Sequence, residues 1–336
     1  MLLLLASLLG VASGYPGGGA DLCVLFCYDT RNRTEEGFHI GLIDFAAQKI
    51  LSVLDLPLSL TGAGGGVAAG ADDGVFYIPN PEVAYNYLLE VSLRANTTTG
   101  RAIASPGPAF PGTPAFYVMN LDAATGDLVV ILEESTRAAW VAAAAVLPAA
   151  GTSAALTPNF APQWVSGFAW RKEGVSAVDS RRRLLYFVAG AQGSGEATLV
   201  GIPLGAPQAP VAFHTLASAP GTDVDDLAYS APLDEFVASA YNVSTGVGSI
   251  WRTPAAGRGG KAWVQVHQWP VGRESSMELG NGVLSRDGYT YFAAFTGPTG
   301  RPSYFAFDLR TNALAATFEV PQNEYPGMLT AEVMAC

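Results

Sequence analysis

Three side chains with hard oxygen donors stand at equivalent points of a repeated sequence pattern. Glu173, Asp225 and Asn281 each directly precede a short unit, which has a small or polar head residue, a polar turn and then a run of large apolar residues. If the three units occupy equivalent places in the fold, these oxygens converge and suit calcium or a similar divalent cation. The alternative is that each side chain bonds backbone amides at the start of its own strand.

The same unit recurs along the chain and predicts the elements that position these side chains. Its head residues follow one another at intervals of 45 to 59 residues, a spacing typical of propellers and solenoids. A second hairpin follows each unit, without the 3.6-residue periodicity that a helical solenoid requires. Four strands per unit are typical of a propeller blade, so we expect helix to be nearly absent. The head residues are Gly66, Ala115, Gly174, Asp226, Gly282 and Gly327.

The last unit is completed from the other end of the chain. Only ten residues remain from Gly327 to the C-terminus, too few for a whole blade. The N-terminal segment supplies three strand-like runs that no other unit uses: Leu22–Tyr28, Phe38–Phe45 and Ile50–Leu56. We therefore predict an all-β fold, a six-bladed β-propeller of four-stranded blades formed by residues 15–336 as one domain. Its last blade takes the inner strand from the C-terminus.

Ring closure of this kind brings two of the three cysteines together. Cys336 is expected to end beside the start of the strand that carries Cys23, so a disulfide between them would lock the composite blade. Cys27 lies four residues further along the same extended strand, roughly 13 Å from Cys23. A bridge across so long a loop contributes up to roughly 5 kcal/mol in the chain-entropy model. The alternative is three buried free thiols.

The units headed by Gly174, Asp226 and Gly282 resemble blades of the gluconolactonase and regucalcin-type lactonases. The segment Glu173-Gly-Val-Ser-Ala-Val is similar to the Glu-Gly pair that opens an inner strand in that family, and Asn281-Gly and Asp225-Asp-Leu are similar to its Asn-Gly and Asp-Gly pairs. The resemblance covers about three of the six units, and Asp226 stands where the family has glycine. It implies that Glu173, Asp225 and Asn281 hold a divalent metal and that Asp225 acts as the general base.

Charge and composition exclude several classes of partner. Lys and Arg number 18 against 29 Asp and Glu, which leaves a net charge of −11. Such a charge repels the phosphate backbone of nucleic acids and anionic lipid surfaces alike. Cationic ligands and metal ions are the easier partners. We expect a monomer that binds a small molecule or a glycan at the channel mouth, which is the end of the central channel where the inner strands begin.

The N-terminus predicts an exported protein. Residues 1–14 form an apolar run that ends in small residues, as a secretory signal peptide does. The run is too short for a membrane anchor, which needs about 20 apolar residues. Three glycosylation sequons agree with a secreted, extracellular location. Their acceptor residues are Asn32, Asn96 and Asn242.

The remaining candidates are weaker in chemistry. Trp164, Phe168 and Trp170 belong to a long connection that could cap the channel mouth as an aromatic pocket, or could pack against blade edges. The histidines fall on outer-strand runs, which argues against a histidine base in the channel. The run 181–183, three consecutive arginines, is expected to be a solvated turn on the opposite face.

Two function classes follow from these observations. The first is an extracellular propeller that binds a ligand or partner at its channel mouth, and the absence of a strong catalytic signature favours it. The second is a metal-dependent hydrolase of lactones or esters, with its cation at the same mouth. The fold alone cannot choose between them, since propellers host both.

Overall fold

The computed structural model describes the chain in segments, which form 25 strands and no helix. The described residues are 22–27, 37–59, 68–69, 75–79, 87–92, 95, 97–102, 115–122, 124–136, 139–147, 169–170, 175–190, 196–204, 211–217, 222–224, 226–242, 244–255, 263–270, 282–296, 301–321 and 329–335. Among them, no helix is long and apolar enough to cross a membrane. The prediction that helix is nearly absent is confirmed for this part of the chain.

The strands are mostly six to eight residues long, the usual length in small twisted sheets. From the N-terminus they are β1 (Leu22–Cys27), β2 (Gly37–Asp44), β3 (Lys49–Ser59), β4 (Ala68–Ala69), β5 (Val75–Pro79), β6 (Tyr87–Ser92), β7 (Thr97–Ala102) and β8 (Ala115–Asp122). There follow β9 (Asp127–Thr136), β10 (Ala139–Leu147), β11 (Ala169–Trp170), β12 (Ser176–Asp179), β13 (Leu184–Gly190), β14 (Glu196–Pro203), β15 (Val211–Ala217), β16 (Thr222–Val224) and β17 (Ala228–Ser230). The last are β18 (Glu235–Asn242), β19 (Val247–Pro254), β20 (Val264–Pro270), β21 (Val283–Leu284), β22 (Thr290–Thr296), β23 (Pro302–Asp308), β24 (Ala313–Glu319) and β25 (Leu329–Ala335).

The described strands pair into six antiparallel sheets, five built from consecutive strands and the sixth from both ends of the chain. Sheet 1 contains β4 to β7, sheet 2 contains β8 to β10 and sheet 3 contains β11 to β15. Sheet 4 contains β16 to β20, sheet 5 contains β21 to β24, and sheet 6 contains β25 and β1 to β3. In sheets 3 and 4 the first strand is split in two, since β11 and β12 both pair with β13, and β16 and β17 both pair with β18.

Sheet 6 joins the two ends of the chain, as predicted from the sequence. β25 pairs antiparallel with β1, with Cys23 opposite Met334 and Val24 opposite Val333. β1, β2 and β3 follow in order across the sheet and match the three predicted N-terminal runs. The C-terminal strand is therefore the first strand of its sheet.

The first strands of the six sheets contact one another in a closed cycle. β4 contacts β8, β8 contacts β12, and β12 contacts β17. β17 contacts β21, β21 contacts β25, and β25 contacts β4 again. A cycle of first strands with the other strands further out is the arrangement of a propeller-type fold. We call the end where these inner strands begin the mouth end and the end where they finish the base end.

The hydrophobic core lies between neighbouring sheets. One cluster packs Leu22, Val24 and Phe26 of sheet 6 against Phe292 and Tyr304 of sheet 5. Similar clusters join sheets 3 and 4, and sheets 4 and 5. Large aromatic side chains fill the spaces between the sheets. Tyr186 of sheet 3 packs edge to face on Phe236 of sheet 4, with ring centroids 4.6 Å apart. Burying such rings contributes stability that no single sheet could obtain alone.

A recurrent hairpin turn explains where the strands end. Asp44, Asp122, Asp179, Asn242 and Asp308 each accept a backbone N–H two or three residues further along the chain. Short side chains of this type stabilise turns by replacing a backbone acceptor. The fourth residue after each of them has a positive φ, which is the left-handed conformation that closes the hairpin. These residues are Gln48, Gly126, Arg183, Gly246 and Asn312.

Several sequence predictions fall outside the described residues. These are the signal peptide 1–14, the acceptor residues Asn32 and Asn96, the side chains of Trp164, Phe168 and Cys336, and the predicted ligands Glu173, Asp225 and Asn281. Trp170 is described only as part of β11, and Cys27 only as part of β1. Asn242 ends β18 and pairs with Thr222 at the start of β16, which puts it at the mouth end.

Candidate functional site

The inner strand of sheet 4 contains an extra residue at the mouth end. Val224 pairs with Ala240, and Ala228 pairs with Val237. Between these two pairs the sequence has three positions, 225–227, against two residues of β18, which is the count of a β-bulge. A bulge leaves backbone groups outside the regular ladder, and they must find other partners because the site is buried.

The side chain of Asp226 accepts hydrogen bonds from groups beside this bulge that lie outside the regular ladder. Its Oδ1 accepts the backbone N–H of Ser239 at 3.1 Å, and its Oδ2 accepts the Ser239 hydroxyl. Oδ1 also accepts the hydroxyl of Tyr291, which comes from β22 of the neighbouring sheet 5. Asp226, Ser239 and Tyr291 are 2%, 1% and 0% exposed. We call these three residues the Asp226 cluster.

Gly282 closes this cluster from sheet 5 and must lack a side chain to do so. A Cβ at this position would lie 2.5 Å from Asp226 Oδ2 and would overlap the hydroxyl of Tyr291. Real Cβ atoms do not approach other heavy atoms so closely, and close backbone approach is a common reason for glycine in a strand. Asp226 directly follows Asp225, and Gly282 directly follows Asn281. The structure thus brings together the residues next to two of the three predicted ligands.

Sheet 3 repeats the interruption on a larger scale. Trp170 of β11 pairs with Ala189, while Ser176 of β12 pairs with Phe187. Five positions of the sequence, 171–175, separate these two pairs, against a single residue of β13, and Glu173 is the middle position of that interval. Asn120 of β8 donates its amide to Ser176 Oγ at 2.6 Å, which ties sheet 2 to sheet 3.

The positions of the predicted ligand atoms are not part of what the structure describes. Glu173, Asp225 and Asn281 lie outside the described residues, and no group of three or more metal-binding His, Cys, Asp or Glu side chains occurs within the described ranges. What the structure does describe is the framework beside two of them, in sheets 4 and 5. From the sequence, Asp226 is recognisable as a head residue and as a departure from a family motif, whereas Ser239 and Tyr291 are not recognisable as its partners. The bulge that unites them depends on strand register, which no local pattern in the sequence reveals.

At the base end, the arginine run forms a partly exposed turn as expected, but Arg182 and Arg183 also pair with buried acids. Arg182 donates to Asp179 Oδ2 at 2.7 Å within its own sheet and to both carboxylate oxygens of Asp234 in sheet 4, at 2.6 and 2.7 Å. Its pKa is raised above the ordinary value, first by the hydrogen bond to Asp234 and then by that to Asp179. The same bond to Arg182 lowers the pKa of Asp234. Asp179 is fully buried, so the arginine neutralises a charge that water cannot reach.

Arg183 makes a similar ion pair with sheet 2, on the other side of sheet 3. Arg183 donates to Asp122 Oδ2, at the end of the inner strand of sheet 2, and that carboxylate is also fully buried. Arg252 of sheet 4 donates to Glu235 in its own sheet and to the Leu309 carbonyl of sheet 5 at 2.6 Å. Gln48 of sheet 6 donates to the Thr317 carbonyl of sheet 5 at 2.8 Å. We call these contacts the base-end network. Only Arg181 of the run is an exposed residue with no side-chain ion pair among the described contacts.

Known proteins resemble this chain in fold but not in sequence. No protein-family model matches the chain, and no curated protein matches its sequence. The periplasmic gluconolactonase of Pseudomonas aeruginosa superposes with a TM-score of 0.52 at 12% identity, covering 93% of this chain and 98% of the other. A "putative 6-phosphogluconolactonase" of Bacteroides fragilis gives a TM-score of 0.50 at 11% identity, covering 94% and 97%. At the level of fold, this chain is therefore similar to gluconolactonase-type proteins, as its sequence motifs predict.

Proposed function

We propose that the protein is a divalent-metal-dependent hydrolase of lactones or esters, with its reaction centre at the mouth end. The observation that carries the proposal is the contact of Asp226 with Gly282, which brings the residues after Asp225 and Asn281 together across two sheets. The lactonase names of two proteins of similar fold support the reaction class. Their support reverses the order that the sequence analysis gave to the two function classes.

The residue types at the mouth end fit a hard divalent cation. Glu173, Asp225 and Asn281 offer carboxylate and amide oxygens, the donors that calcium, magnesium and manganese prefer. A cation bound there would polarise the carbonyl oxygen of a lactone or ester. In this proposal Asp225 takes the proton from the attacking water as general base, and calcium is the cation expected from the sequence.

The experiment strips the protein with a chelator and then measures both stability and hydrolysis. Calcium, magnesium and manganese are added in turn, the melting temperature is recorded, and ring opening of a panel of lactones is followed by acid release. We expect one cation to raise the melting temperature and to permit hydrolysis. Asp225→Asn and Glu173→Gln should abolish both effects, whereas Asp55→Asn, at a carboxylate with 87% exposure, should alter neither. If no cation has any effect on the wild type, the proposal is wrong.

A ligand-binding propeller without catalysis is the second candidate. The base-end network engages Arg182, Arg183 and Arg252 in contacts between sheets, which favours the mouth end as the surface for a small-molecule or glycan ligand. Screening a glycan array and a small-molecule panel by thermal shift separates the two candidates. A ligand that stabilises the protein without being consumed would favour binding alone.

We also propose that the ring has six blades and is closed by a disulfide. The closed cycle of six inner strands within the described residues supports the blade count. Cys23 is disulfide-bonded, and Cys27 lies on the same strand, about 13 Å along it and beyond the reach of a disulfide. Cys336 follows Ala335, the partner of Leu22, and is the cysteine left for the bridge. Peptide mapping without reduction tests this pairing.

Export is the last part of the proposal. A signal peptide at 1–14 would deliver the chain to an oxidising compartment, which agrees with a disulfide at Cys23. Asn242 lies in a hairpin turn at the mouth end, where Thr245 is exposed. Intact-mass comparison before and after deglycosylation, in a eukaryotic secretion host, tests Asn32, Asn96 and Asn242 together.

A further inference from the structure

We propose that the Asp226 cluster is a positioning device for the metal site, an inference that rests on the proposed function. Asp226 stands beside a predicted ligand, but its carboxylate oxygens accept three hydrogen bonds from Ser239 and Tyr291. At 2% exposure it is engaged by the protein interior. Its role is therefore to fix backbone, and the backbone it fixes carries Asp225 on one side.

The second half of the device is in sheet 5. The Tyr291 hydroxyl crosses from β22 to Asp226, and the Gly282 backbone lies against both groups. Tyr291 is fully buried and packs in the cluster that joins sheets 4 and 5. Asp225 and Asn281 each precede a residue of this contact in the sequence, so in this proposal the contact fixes the backbone from which both predicted ligands extend. Groups that orient metal ligands in this way commonly change metal affinity 10- to 100-fold when removed.

The two sheets share a second buried hydrogen bond, at the other end of the same inner strands. Ser230 ends β17 and donates its hydroxyl to the Gly288 carbonyl of sheet 5 at 2.7 Å. Ser230 is fully buried, as Tyr291 is. The bond is equivalent in kind to the Tyr291 contact but lies at the base end, away from the predicted ligands. Ser230→Ala is therefore a matched control, since it removes one buried hydroxyl between the same sheets.

The experiment compares metal affinity with stability in four proteins. Wild type, Tyr291→Phe, Ser239→Ala and Ser230→Ala are stripped of metal, and calcium, magnesium and manganese are each titrated by calorimetry. Melting temperatures are measured without metal. We expect all three variants to melt below the wild type. The Kd should rise about 10-fold or more in Tyr291→Phe and Ser239→Ala, and should stay within about twofold of the wild type in Ser230→Ala.

Each outcome decides between positioning and simple support of the fold. If Tyr291→Phe and Ser239→Ala melt lower but bind metal as the wild type does, the positioning role is wrong while the proposed function stands. The same holds if Ser230→Ala weakens the metal equally. If the wild type binds none of the three cations, the proposed function and this inference both fall. Ser239→Ala retains the aromatic core, so it decides the question even if Tyr291→Phe does not fold.

Discussion

The two ends of the inner strands hold equally buried acids in different ways. At the base end, Asp122 and Asp179 are fully buried and receive arginines, Arg183 and Arg182 respectively. At the mouth end, Asp226 is 2% exposed and receives a backbone amide and the hydroxyls of Ser239 and Tyr291. Ion pairs join sheets at one end, and a hydroxyl-bonded carboxylate joins them at the other.

The difference shows that burial of an acid does not by itself mark a functional site. A buried carboxylate that is bonded to an arginine of its own sheet or the next is explained by the fold, because removing either partner leaves an uncompensated charge. A buried carboxylate inside a bulge, beside two predicted ligands, has a second reason to be there, since bulges often aim side chains next to active sites.

The largest effect is expected from Gly282→Ala at the mouth end. The added methyl group would lie 2.5 Å from Asp226 Oδ2 and on top of the Tyr291 hydroxyl. Both groups must move, and overpacking of this kind typically costs up to about 3 kcal/mol. Urea unfolding followed by fluorescence measures the loss.

The outcome of Gly282→Ala decides how rigid the mouth end is. A loss below about 1 kcal/mol would mean that the Asp226 cluster repacks easily and cannot position anything. The metal titration described above should be repeated on this variant, because a rigid device predicts weaker binding together with lower stability.

At the base end, Arg182→Met should reduce stability by about 2 kcal/mol. Methionine keeps much of the apolar stem but leaves Asp179, which is fully buried, without its arginine. Loss of one partner of a buried pair costs about 3 to 5 kcal/mol, and we reduce that figure because Arg182 is 35% exposed. Chemical unfolding at neutral pH measures the change.

The neighbouring residue provides the control for Arg182→Met. Arg181 is exposed, so Arg181→Met should change stability by less than about 0.5 kcal/mol. Equal losses in the two variants would show that the arginine run acts through overall charge, as a solvated turn would.

The structure and the sequence agree where a pattern is local and repeated. The composite sheet 6 was predictable because only ten residues remain from Gly327 to the C-terminus while three strand-like runs are unused at the N-terminus. The role of Arg182 was not predictable, because its partner Asp234 is 52 residues away and meets it only when two sheets pack. The Asp226 cluster was hidden for the same reason, since Tyr291 lies 65 residues further along the chain.

Acid titration tests the ion pair between Arg182 and Asp234 in the base-end network. The hydrogen bond from Arg182 lowers the pKa of Asp234 below its ordinary value of 3.8. The ionised carboxylate therefore stabilises the fold at every pH above that value, and this contribution is lost as the pH falls through the lowered pKa of the folded state. The gap in unfolding free energy between the wild type and Asp234→Asn should be constant from pH 7 to about 5 and should shrink below about pH 4. A gap that is independent of pH would contradict the ion pair.

The smallest effect is expected at Gln48, where a left-handed residue joins sheets 5 and 6. Its φ is 53°, a conformation that costs a non-glycine residue about 1 kcal/mol or more. Its side chain donates to the carbonyls of Phe45 and Thr317 at 2.7 and 2.8 Å. Gln48→Gly relieves the backbone but loses both bonds and makes the unfolded chain more flexible, so we expect a net change within about 0.5 kcal/mol. Gln48→Ala loses the bonds without relief and should cost about 1 to 2 kcal/mol. If glycine and alanine destabilise equally, the backbone at Gln48 is unstrained. In that case the hydrogen bond to Thr317 no longer explains why a non-glycine residue occupies this turn position.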